Sequence, residues 1–157
     1  MKRRHVIQLL AVLAATGTHA FASEATARLV SIDISKLGAH PRLRAAIELY
    51  LDAVAGEVST HTCFRNLVTC IYLCCYELTE FRDDGRLSIE QEDVTRVAQQ
   101  IALIPIPQSD LPIIHALVTW AASWSPRLPH VSLRESWAVA RRVIAATVIS
   151  FPESSHL

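Results

Sequence analysis

Between Pro41 and Phe151 the apolar positions recur at three, four and seven residues, the period of helices that bury one stripe. In the first stretch Leu43, Ile47, Tyr50, Leu51, Val54 and Val58 share a face. Pro41 opens it, in the first turn, where the N–H that proline lacks would have no partner anyway. Gly56 and the run Ser59-Thr60-His61-Thr62 loosen or end it. The second stretch, from about Thr62 to Phe81, has a different character. Phe64, Leu67, Val68, Ile71, Leu73, Cys74, Cys75 and Leu78 are apolar nearly all round, which predicts the central, buried member of a bundle. It ends at Arg82-Asp83-Asp84-Gly85-Arg86, where Gly85 can take the angles of a sharp turn.

Ser88 and Gln91 have the spacing of a capping box for a third helix running to about Ile104, with Val94, Val97, Ile101 and Ile104 inward. Pro105 and Pro107 break the chain. Asp110 is expected to cap a fourth helix, Leu111 to Trp124, with Pro112 in its first turn. Residues 125–129, Ser-Pro-Arg-Leu-Pro, form a rigid connector. Ser132 and Glu135 then make a second capping box for a fifth helix reaching Phe151, with Leu133, Trp137, Val139, Ala140, Ile144 and Val148 on its stripe. Ahead of all this, Val30, Ile32 and Ile34 alternate with polar residues. A lone strand has nothing to pair with, so that segment reads as an extended arm over the helices.

The first residues change the picture. Lys2, Arg3 and Arg4 precede an apolar run from Val6 to Ala15, and Ala20-Phe21-Ala22 offers a small-x-small cleavage site. The run is short and no stop-transfer pattern follows it, so a signal peptide is expected rather than a buried helix. The expected plan is an all-α single domain. A bundle of about five helices over residues 41–151 follows a signal peptide (1–22) and an extended arm (23–40), and precedes a C-terminal tail (152–157).

Apolar residues make up 51% of the chain and there are only 4 glycines, which argues against disordered and fibrous classes. Without Lys2, Arg3 and Arg4 the chain keeps 12 basic against 15 acidic residues, a charge near −3. Nucleic acid is therefore not an expected partner. Beyond the leader no apolar run is long enough for a stable membrane span. Charge is uneven along the chain. Residues 77–93 hold seven acids and two arginines, and residues 127–157 hold four arginines and two acids. Asp83 and Asp84 in the acidic loop are candidates for contact with a partner protein.

All four cysteines, Cys63, Cys70, Cys74 and Cys75, lie within thirteen residues. In a regular helix Cys70 and Cys74 would have Cβ atoms about 5–6 Å apart, whereas a disulfide wants about 3.5–4.5 Å. Vicinal Cys74 and Cys75 are held too close, with Cα atoms about 3.8 Å apart. One route to a disulfide stays open: a helix starting at Asn66 would leave Cys63 in a loop, free to fold back. Metal is the third reading, with Cys70 and Cys74 on one ion and His61 or Cys63 as distant ligands. A closed zinc site needs four ligands, usually in paired clusters, although copper(I) accepts two thiolates. Packing ranks first, a disulfide second, and metal or thiol chemistry third.

Other constellations are weaker. Glu48 and Asp52, one helical turn apart, read as a solvated face. Aligning Gly85 with the invariant glycine of a calcium loop puts Arg82 at a ligand position and Gln91 where the closing glutamate belongs, which argues against calcium. Glu153 and His156 share the spacing of di-iron ligands, but they follow Pro152 in the tail and have no repeat. Of Trp120, Trp124 and Trp137, Trp124 is the one expected at the surface, at a helix end beside Ser125 and Pro126. No cofactor and no metal site is expected. The expected function is that of a small exported, non-enzymatic helical protein that binds another protein, as an accessory, inhibitor, immunity or chaperone-like factor. The alternative is a metal-binding or redox protein built on the Cys63–Cys75 cluster. A chain held at a membrane by an uncleaved leader is a third possibility.

Overall fold

The computed structural model describes residues 40–55, 57–78 and 91–151, and every regular element among them is helical. The five α-helices are α1 (Pro41–Ala55), α2 (Thr60–Leu78), α3 (Gln91–Ile101), α4 (Leu111–Ala122) and α5 (Leu133–Ile149), with a single 3-10 turn, Gln108–Asp110, leading into α4. The expected leader, the alternating arm, the tail, the Ser88 cap and the acidic loop with Asp83 and Asp84 lie outside the described residues.

α2 is the axis of the bundle. Leu67, Val68, Cys70, Ile71, Cys74 and Cys75 have no solvent exposure, and α1, α5, α4 and α3 all pack on this helix. Burying a side chain the size of Leu67 or Ile71 contributes about 1.5–3 kcal/mol, so this helix gathers more apolar burial than its neighbours. α1 meets it through Leu43, Ala46, Ile47, Tyr50 and Ala53, close to the expected stripe. α5 contributes Val139, Ala140, Val143 and Ile144. α3 has only 11 residues, a length that is marginal for an isolated helix, and Val94, Val97 and Ile101 tie it to the core. A polar clasp adds to this. The hydroxyls of Tyr72 and Tyr76 on α2 donate to Asp93 Oδ1 at 3.5 and 3.4 Å, at the start of α3, where a carboxylate also suits the helix dipole.

The helix ends repay attention residue by residue. Ser132 and Glu135 form the expected capping box of α5. α2 starts two residues earlier than expected, because Ser59 accepts the N–H of Thr62 at 3.2 Å and caps it. α3 stops at Ile101, where the chain tightens into a turn that still buries Ile104. α4 stops at Ala122 instead of Trp124. Asp110 does not cap α4. Its backbone is already helical (φ −82°, ψ −24°), because the 3-10 turn runs straight into α4, and an N-cap needs extended angles.

Asp110 has another role: it is 3% exposed and bonded twice by Arg142 of α5, Nε to Oδ2 at 2.6 Å and Nη2 to Oδ1 at 2.8 Å. This forked pair locks the α3–α4 connector to the outside of α5. Removing the guanidinium would leave a buried carboxylate with no cation. Arg142→Gln is therefore expected to lower stability by about 2 kcal/mol at neutral pH, with part of the loss recovered when Asp110→Asn is added. Urea denaturation of the three chains checks this, and equal stabilities would contradict it.

Candidate functional site

The structure settles the geometry of the cysteines. All four are free, buried thiols. Because α2 begins at Thr60, Cys63 sits in its first turn and Asn66 lies inside the helix, so the loop that a Cys63 disulfide required does not exist. The disulfide, ranked second to packing, loses its route on that ground. Each thiol has a local role instead. Cys63 Sγ donates to the carbonyl of Ala53 at 3.5 Å and lies 3.9 Å from that of Val58, so it serves a carbonyl that the end of α1 leaves open. Cys70 and Cys74 lie one turn apart on α2, both fully buried.

Burial pushes the Cys70 thiol well above its usual value near 9, and the neighbouring Cys74 pushes the same way. Burial raises Cys75 too. A thiolate is the form that binds metal and attacks electrophiles, so this environment disfavours both activities. Among the described residues no group of three or more His, Cys, Asp or Glu is placed to hold a metal. Nearby, burial lifts the Tyr50 hydroxyl from about 10 to about 12, with the charge of Arg141 opposing the rise.

A different cluster has the geometry of a site that faces outward. It lies where α4 ends and the connector to α5 begins. Trp120 is buried; its ring stands edge-on to Phe64 and His61 of α2, with centroids 6.0 and 5.0 Å away. Arg65, one turn beyond His61 on α2, places its guanidinium 4.8 Å from the Trp120 ring centroid and 5.1 Å from that of Trp124. The cation is shared between two indoles.

Three side chains then pin the backbone here. Arg65 Nη1 donates to the carbonyl of Ala121 at 2.9 Å, His61 Nε2 to that of Ser125 at 3.3 Å, and Trp120 Nε1 to that of Arg127 at 2.6 Å. On this pinned turn Trp124 is 65% exposed, and Leu128 is exposed four residues further on. Trp124 also has φ +52°, the only positive value at a non-glycine among the described residues. Glycine usually fills the position just after a helix where the chain turns left-handed. A bulky residue there carries strain, which the pinned carbonyls and the Arg65 contact hold in place.

The remaining candidates fall out as follows. Glu48 and Asp52 are exposed, as a solvated face requires, and His115 and His130 are exposed on separate elements. Trp137 is partly buried against the core. Sequence reasoning found Trp124 by its place at a helix end, but missed the Arg65 and His61 contacts, which join residues more than fifty positions apart. Comparison with known protein families, characterised proteins and solved structures finds no match to this chain.

Two outcomes are expected. Tyr50, Cys70 and Cys75 are acids whose folded pKa values lie above their unfolded ones, so their neutral forms stabilise the fold. That contribution is complete below about pH 7.5, where unfolded thiols are still protonated, and is lost as pH rises from there towards the folded values. Thermal melts from pH 7 to 11 should show Tm falling steeply above pH 9, and less steeply in Cys70→Ala. At position 124, glycine and alanine both remove the indole, so their difference isolates the backbone. Trp124→Gly should be more stable than Trp124→Ala by about 1 kcal/mol in urea denaturation.

Proposed function

We propose that this chain is a small exported helical protein that acts by binding another protein, in the manner of an accessory, inhibitor, immunity or chaperone-like factor, and not by catalysis. The observation that carries the reading is Trp124. A large aromatic side chain lies in water on a turn that the scaffold holds rigidly and under strain. Trp and Arg are among the residues most enriched where binding energy concentrates in protein interfaces. A rigid anchor also loses little conformational freedom when it binds. A glycine would suit the backbone better, so the tryptophan is costly where it stands; contact with a partner supplies a reason for it.

Export rests on the leader pattern of residues 1–22. Among the described residues no helix is long and apolar enough to cross a membrane. The thiol or metal alternative draws less support: Cys70 and Cys74 are fully buried, and burial holds the Cys70 thiol in its protonated form.

Photo-crosslinking in the native host tests the proposal. Trp124→p-benzoylphenylalanine should yield one or a few discrete protein adducts that the same replacement at exposed Glu48 does not. In the same sample the intact mass of the free chain should correspond to Ser23–Leu157. Identical adduct patterns at the two positions would sink the binding face, and a full-length mass would sink export with cleavage.

A further inference from the structure

The chemistry around Trp124 narrows the partner. Arg65 lies against one side of the indole, so the ring is held against its own scaffold and offers a surface more than a protruding knob. Leu128, on the same connector, is exposed as well. Two cations stand beside this surface. Arg65 spends one N–H on the Ala121 carbonyl and has others to give, while Arg127 is exposed and held at the next turn by its own N–H to Ser125 Oγ at 3.2 Å. Among the described residues neither arginine is paired with a carboxylate, whereas Arg142 and Arg96 both are. The Arg65 cation already serves the two indoles and the Ala121 carbonyl, whereas Arg127 is engaged here through its backbone N–H and carbonyl.

Resting on the reading of Trp124 as a binding anchor, we propose that this face takes an acidic, extended segment of another protein, with an apolar side chain laid on Trp124 and Leu128 and carboxylates on Arg65 and Arg127. Each carboxylate gains a charge-assisted hydrogen bond, and the Arg65 fork stays pre-oriented by the two indoles between which it lies. Stacking and cation chemistry of this kind also suits nucleic acid. The chain's overall balance speaks against that, because two arginines on a neutral to slightly acidic protein cannot supply the many phosphate contacts that nucleic-acid affinity rests on.

The test uses a random-peptide phage library panned on the whole protein and counter-selected on Trp124→Ala, with far-UV circular dichroism confirming that both chains are folded. The expected result is enrichment of peptides rich in Asp and Glu that also carry an aromatic or large aliphatic residue. Synthetic versions of these should bind about thirtyfold more weakly to Trp124→Ala. They should also bind measurably more weakly to Arg127→Gln, and more weakly as salt is raised. Enriched peptides that depend on Trp124 but are neutral or basic would overturn the acidic partner while leaving the binding face standing. Loss of discrimination between the wild-type chain and Trp124→Ala would overturn the face itself, and the proposal with it. Enriched acidic peptides whose affinity ignores Arg127→Gln and salt would also overturn the acidic assignment.

Discussion

From Cys63 to Leu78 the central helix has no fully exposed residue, and that constraint places everything around it. A helix apolar on every side cannot lie on a surface; its neighbours must cover it from several directions. α1 and α5 each bring a broad stripe of small and branched side chains, α4 covers the N-terminal half through Trp120 against Phe64, and α3 is fastened near the C-terminal half by Tyr72 and Tyr76. The cysteines belong to the same account. At positions where the helix needs small apolar volume on all sides, a thiol fits as a modest hydrophobe with a weak donor.

Burial of those thiols also bears on how an exported chain could keep them reduced. An oxidising compartment normally converts thiols to disulfides. Here the helix holds Cys70 and Cys74 at the wrong separation for a bond, and Cys63 faces the end of α1. Oxidants must wait for the bundle to open, since a thiol with raised pKa and no exposure reacts slowly. Thiols and export are therefore compatible when the core that contains the cysteines is stable.

Much of this architecture was legible in the chain. Periodicity located five helices because each buries a stripe, and prolines at 41, 105, 107 and 112 marked starts and breaks through the N–H they lack. Ser132 and Glu135 announced their capping box because that motif is local. What escaped was long-range or conformational. Asp110 looked like a cap because caps are read from residue type, yet Arg142, 32 positions away, claimed its carboxylate. The left-handed turn at Trp124 carried no signal, since sequence patterns expect glycine there. For the thiols, helix geometry disfavoured a disulfide in advance, but only the Ser59 cap decided where the helix starts.

One further contact sets how the molecule can be presented. His40, at the head of α1, donates its Nδ1–H to Glu77 Oε1 near the end of α2 at 2.9 Å, and its ring lies 4.3 Å from that of Phe151, just past α5. The two ends of the helical unit thus meet. Trp124 precedes α5 and Phe151 follows it, and a helix of 17 residues measures about 25 Å. The aromatic turn and the His40–Phe151 contact therefore lie at opposite ends of α5. A probe attached at Phe151 would sit about 25 Å from the turn that carries Trp124.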